Sequence, residues 1–300
     1  MLIRFSCGKE NNLLSLPAEA RAQAGADILI CKWIAVYSKL QLVYKYLHYY
    51  LTASSGKGHG IHSPFVYDFI TKVLNDKAPY PAYEKVEAWR KKLLHDKAIL
   101  TVEDYGAGSA MTNSNDRSIS DIARYSVKPK KYGQLLFRMV RHYQPSTILE
   151  LGTSLGITTS YLSFANTGAK LNTLEGSKAV ADVARQTFHQ LDVKNAVLIE
   201  GNFDDKLQWA IKELSSVEFA FIDGNHRLQP TVRYFQQLLP AAGKDSILIF
   251  DDIHWSSEME AAWQTIIRHP AVRCSIDLFF IGIVFFRNEF REKQHFTIRF

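Results

Sequence analysis

Glu150, Glu175, Glu200, Asp223 and Asp251 each close a short apolar run, and Asp252 doubles the last of them. Carboxylates gathered at strand ends can accept hydrogen bonds from hydroxyls, pair with an ammonium group or crowd around a cation. Gly152 and Gly156 frame a turn after the first run, Glu150-x-Gly152-x-x-x-Gly156. Bare backbone there lets a ligand approach closely and eases the start of the next helix. Glu175 lies 23 residues beyond Gly152, a spacing at which an acid meets both hydroxyls of a ribose. That spacing points to a nucleoside, not to a reaction. His226, three residues after Asp223, is a base of near-neutral pKa suited to a hydroxyl.

The elements that position these residues follow from the pattern after about Tyr143. Runs at 147–151, 171–175, 196–200, 219–223 and 246–251 read as strands, with helices beginning near Ile157, Ser177, Phe203, Leu228 and Ser256. Such alternation predicts βαβ units and a parallel sheet covered on both faces. The runs 272–280 and 281–287 leave no room for a crossover helix, so they predict an antiparallel hairpin. Ligands of open parallel sheets bind beyond the carboxyl ends of the strands, so the acids should share one rim. Residues 1–127 lack the alternation and read as a helical accessory region, with segments near 28–53, 64–75 and 82–95 and a polar lid-like loop from Gly106 toward Ser126. Residues 128–300 form the catalytic part.

Within that loop, Asp104-Tyr-Gly106-Ala-Gly108-Ser imitates a cofactor turn. The polar stretch after it, Asn113-Ser-Asn-Asp-Arg117, is not an amphipathic helix, so the strand–turn–helix context is missing.

Composition limits the partners. Three cysteines, Cys7, Cys31 and Cys274, give neither a disulfide framework nor a thiolate metal site and suit a reducing cytoplasm. No stretch has the length of uninterrupted apolar residues that a membrane span requires, and no signal-peptide pattern opens the chain. The 28–51 segment, broken by Lys32, Lys39 and Lys45, predicts an amphipathic helix packed within the protein or on a second copy as a homodimer contact. Residues 1–145 hold 21 Lys and Arg against 12 Asp and Glu, while residues 146–300 hold 15 against 18. The positive charges are scattered apart from Arg90-Lys-Lys92 and Lys128-Pro-Lys-Lys131, which argues for a solvated surface and against nucleic acid as the partner.

Residues from about 130 to 287 resemble class I S-adenosylmethionine-dependent methyltransferases. Phe221-Ile-Asp-Gly-Asn-His226 followed by Phe250-Asp-Asp-Ile253 is similar to the small-molecule O-methyltransferases of the catechol type and to bacterial metal-dependent sugar methyltransferases. The likeness covers about half of the chain. It implies an α/β, Rossmann-like sheet of seven strands, parallel with an antiparallel C-terminal hairpin, preceded by the helical accessory region. It further implies that Glu150 and the Gly152 to Gly156 turn, Thr153 included, hold the methionine part of S-adenosylmethionine, Glu175 its ribose, and Asn202 with Phe203 its adenine end. Asp223 would touch the cofactor and, with Asp251 and Asp252, hold a divalent cation such as Mg2+. His226 stands where the catechol-type enzymes carry a catalytic lysine, and Asp252 stands where the metal-dependent pattern has an amide.

These readings converge on methyl transfer to an oxygen of a small-molecule acceptor. His254 and Trp255, beyond the fifth strand, would wall its pocket. Alternatives left open are an RNA or other polyanion methyltransferase and a nucleoside-binding protein of this fold without catalysis. A nicotinamide dehydrogenase is disfavoured, because Gly-x-x-x-Gly offers fewer amides to a pyrophosphate than Gly-x-Gly-x-x-Gly.

Overall fold

The computed structural model describes residues 36–103 and 115–300. The glycine-rich turn at 104–109, Cys7, Cys31 and the start of the expected 28–53 helix lie outside them.

Three helices come first: α1 (Lys39–Thr52), α2 (Pro64–Phe69), which runs into a π turn at Ile70–Leu74, and α3 (Pro81–Leu93). Ser38 starts α1 through a capping box, its hydroxyl accepting from the Gln41 amide and the Gln41 side chain accepting from the Ser38 amide. Strands β1 (Ile99–Thr101) and β2 (Asp116–Ser118) form a small antiparallel pair. The polar stretch read as a loop thus contains a strand, and α4 (Ile119–Tyr125) follows directly. Two facts outweigh the polarity. Ser118 caps α4 by accepting from the Asp121 amide, and Ile119, Ile122 and Ala123 bury one helix face.

The remaining elements alternate as the sequence predicts. They are α5 (Lys130–Tyr143), β3 (Thr147–Leu151), α6 (Ile157–Ala165), β4 (Lys170–Glu175), α7 (Lys178–Leu191), β5 (Ala196–Glu200), α8 (Phe203–Leu214), β6 (Phe219–Ile222), α9 (Leu228–Leu238), β7 (Ile247–Asp251), α10 (Ser257–Arg268), β8 (Cys274–Asp277), β9 (Ile281–Phe285) and β10 (Gln294–Thr297). The sheet order is β10-β8-β9-β7-β6-β3-β4-β5. β5, β4, β3, β6 and β7 are mutually parallel, and β9 runs antiparallel to both β7 and β8. An eighth strand, β10, extends the expected seven by pairing parallel with β8.

Side chains alternate across the sheet with period two. Ile148, Phe219, Phe221, Ile247 and Ile249 face one core, which they share with Phe69 and Val86 of the N-terminal helices and Leu135 and Leu136 of α5. Leu149, Leu151, Ala220, Ile222, Leu248 and Phe250 face the other, under α8, α9 and α10. The N-terminal helices therefore complete the core on one face of the sheet. Among the described residues, no helix is long and apolar enough to cross a membrane.

Candidate active site

β3 and β6 are neighbours whose following helices lie on opposite faces of the sheet, so the strand order reverses here, and beyond such strand ends ligands of open parallel sheets bind. Gly152 leaves β3 with φ of 100°, and a Cβ there would lie 2.0 Å from the Asp223 carbonyl oxygen. Gly156 begins α6 with φ of 78°. Only glycine adopts these left-handed conformations without strain. The turn is closed on itself: Gly152 and Thr153 donate their amides to the Leu174 carbonyl, Gly156 donates to the Thr153 carbonyl, and Ser154 donates to Glu175 Oε2 at 2.8 Å. Thr153 is buried, its hydroxyl 2.6 Å from that of Thr173.

Glu150 lies on the same sheet face as Ile148 and is wholly buried beneath this turn. Its Oε2 accepts from the hydroxyls of Thr159 and Thr173, while Oε1 has no hydrogen-bond partner. Burial pushes the carboxyl up to about 8, against the pull of the two threonines. Glu175 ends β4 and accepts from the amides of Ser154 and Ser177. Burial raises its pKa, and those amides only partly offset it. Asn202 caps α8 by accepting from the Asp204 amide, and the Phe203 ring lies against Gly224, one residue past Asp223. The residues expected around a nucleoside thus converge on one rim, with Glu150 and Thr153 underneath it.

Asp223, Asp251 and Asp252 meet where β6 and β7 end. Asp251 is buried, and Asp252 turns the chain away with φ of 53°. The ligand atoms that converge within 4.8 Å belong to Asp223, His226 and Asp251, so His226 stands where Asp252 was expected. His226 Nε2 lies 3.5 Å from Asp223 Oδ1. A cation is already present among them. Lys128, in the linker before α5, pairs its ammonium with Asp251 Oδ2 and lies 3.6 Å from Asp252 Oδ1. As arranged, the expected set of Asp223, Asp251 and Asp252 does not fit a divalent ion, because the ammonium already occupies Asp251 Oδ2 and Asp252 lies outside the converging ligand atoms.

The charges respond accordingly. Burial lowers the pKa of Lys128, but Asp223, Asp251 and Asp252 outweigh it and hold the ammonium protonated. Burial, with Asp223 and Asp252 beside it, drives Asp251 well up. Asp223 is also pushed up by burial, yet Lys128 and His226 bring it below the usual carboxylate range. Burial lowers His226, and its pairing with Asp223 and the Asp252 charge raise it above its ordinary value.

His254 does not wall an open pocket. Its Nδ1 is 2.9 Å from Glu260 and its Nε2 is 2.8 Å from Asp277, and the ring stacks on Phe279. Glu260 in turn accepts from Tyr37 and Lys45, which ties the N-terminal segment to the loop after β7. Two open clefts, one lined in part by Gln208 and Arg233 and the other by Tyr80, Tyr83 and Lys130, include none of these rim acids.

Sequence reasoning missed Lys128, which stood in a basic cluster read as surface charge. Nothing in Lys-Pro-Lys-Lys signals burial; only the fold carries that residue to the ends of β6 and β7. It also missed Thr159 and Thr173, whose hydroxyls are the internal partners of Glu150.

The fold is that of the class I S-adenosylmethionine-dependent methyltransferases, and a family described as "Methyltransferase domain" matches residues 149–253, the stretch that spans this rim. Among solved structures, a methyltransferase from Podospora anserina bound to S-adenosylhomocysteine superposes with a TM-score of 0.53 at 14% identity, covering 75% of this chain and 97% of that one. An O-methyltransferase from Bacillus cereus, also with S-adenosylhomocysteine, gives 0.48 at 20% identity over 74% of this chain and 97% of its own. No curated protein matches the chain.

Proposed function

We propose that the protein transfers a methyl group from S-adenosylmethionine to an oxygen of a small acceptor. The observation that carries the cofactor reading is the unpartnered, wholly buried Oε1 of Glu150 beneath the glycine turn. A buried carboxylate oxygen without a donor is costly, and the ammonium of a methionine moiety above Gly152 would supply one. Glu175 carries lone pairs beyond those used by Ser154 and Ser177, suited to ribose hydroxyls. Asn202 and Phe203 would border the adenine. The internally bonded amides of Gly152, Thr153, Ser154 and Gly156 leave little for a pyrophosphate to bind, which favours a cofactor that has none.

When bound, the sulfonium supplies the electrophilic methyl group. The chain's task is to align the acceptor oxygen and take its proton. His226 is the proposed base, with Asp223 fixing its ring and stabilising the imidazolium that forms. Residues 1–127 act as the accessory and lid region that sets acceptor specificity. The exposed Leu40, Val43, Tyr44, Leu47 and Leu51 of α1 suit a homodimer contact.

The test is calorimetric titration of S-adenosylhomocysteine into wild type and Glu175→Ala. Loss of affinity in the variant supports the cofactor assignment, and equal affinity in both proteins overturns it.

A further inference from the structure

We propose that the ammonium of Lys128, and not a divalent ion, is the resident cation of the Asp223–Asp251–Asp252 cluster, so that methyl transfer at this rim proceeds without metal. The proposal rests on the methyltransferase reading for its chemistry, but its core is a statement about charge and geometry.

Three carboxylates at the ends of two adjacent strands repel one another unless positive charge lies between them. Lys128 provides it directly. Its ammonium contacts Asp251 and lies 3.6 Å from Asp252, with only 12% of its side chain exposed. An ammonium is a compact charge with three donors, able to serve more than one carboxylate at once.

The lysine is also held in place by its neighbours. Val127 is buried in the core, and Pro129, at the N-cap position of α5, accepts the Tyr132 and Gly133 amides on its carbonyl, while Leu135 and Leu136 of that helix are wholly buried. The linker therefore delivers the side chain from two anchored points. A divalent ion among Asp223, His226 and Asp251 would have to displace this ammonium from Asp251 or sit beside it against like-charge repulsion. Asp252, which contributes no atom to that converging set, keeps its carboxylate toward Lys128. An acid at this position suits a lysine, whose ammonium it can pair with.

Manganese binding to the full chain, read from the electron paramagnetic resonance of free Mn2+, tests the proposal. Wild type should bind no Mn2+ tighter than about 1 mM. Lys128→Ala should gain a site at least about tenfold tighter, because Asp223, His226 and Asp251 are then free to ligate. Micromolar binding by wild type overturns the proposal, as does a variant that binds no better than wild type. If circular dichroism shows Lys128→Ala unfolded, the wild-type titration decides alone. S-adenosylhomocysteine calorimetry on wild type with EDTA reads the other premise separately. Binding that survives the chelator supports a cofactor site that needs no metal. No binding with or without EDTA overturns the methyltransferase reading, while the manganese result still judges Lys128.

Discussion

Gly152 passes so close to Asp223 that a Cβ on the glycine would fall 2.0 Å from the aspartate's carbonyl oxygen. This contact joins the glycine turn to the acid cluster: moving one strand end moves the other. The Asp223 amide completes the link by donating to the Leu151 carbonyl at 2.8 Å. Gly152→Ala should therefore cost stability through both left-handed strain and the clash, about 1–3 kcal/mol from strain alone. Urea unfolding should show the loss, and calorimetry should show weakened S-adenosylhomocysteine binding. Unchanged stability and affinity would contradict the contact.

Glu150 offers a second expectation, with the sign opposite to that of most carboxylates. Its folded pKa of about 8 lies above the ordinary 4.5, so between those values the folded state binds more protons than the unfolded one. Stability should fall as pH rises from 4.5 to 8. Glu150→Gln, which cannot ionise, should remove this slope and be more stable than wild type at pH 8 by an amount on the order of a few kcal/mol. Thermal melts of both proteins across the range measure it. Parallel pH profiles would show that Glu150 stays ionised.

His226 sets a kinetic expectation. A base must be unprotonated to accept a proton, and its pKa is raised by Asp223 and Asp252 despite burial. The acidic limb of kcat/KM should therefore lie above the ordinary 6.5 of histidine. His226→Asn should lower kcat about 10²- to 10⁴-fold and abolish that limb. A variant with undiminished kcat would remove His226 from the mechanism.

The His254 network ties the N-terminal helix to pH. Burial opposes its charge, but Asp277 and Glu260 raise His254 to about 9, so its stabilisation is full below 6.5 and is lost as pH climbs through 9. Glu260 works in the other direction. Burial pushes it up, yet His254, Tyr37 and Lys45 bring it to about 2, so its contribution is full above 4.5 and disappears as pH falls through 2. Wild type should lose Tm between pH 6.5 and 9, whereas His254→Gln should lose less over that interval. Limited proteolysis near α1 should accelerate over the same range. A flat wild-type Tm would mean that His254 does not hold the segment.

The periodic half of the chain was legible because its signals are local. Apolar runs of five or six residues closed by acids, with glycine at the first turn and helices between, determine a parallel sheet with one acidic rim, and the short final connection determines the hairpin. The α4 cap at Ser118 was also written locally, although the polar residues before it concealed the strand they form. What tertiary structure alone decided is which groups meet. Glu150 and Glu175 both close apolar runs, yet period-two alternation and the cover of α6 bury the first, while the second stays at the rim. Asp252 adjoins Asp251 in sequence, but its left-handed backbone turns it out of the set that His226 enters. Lys128 lies 123 residues before Asp251 in the chain, and no local pattern records a long-range ion pair. Its burial depends on where α5 docks, so a lysine indistinguishable in sequence from its exposed neighbours becomes the positive centre of the site.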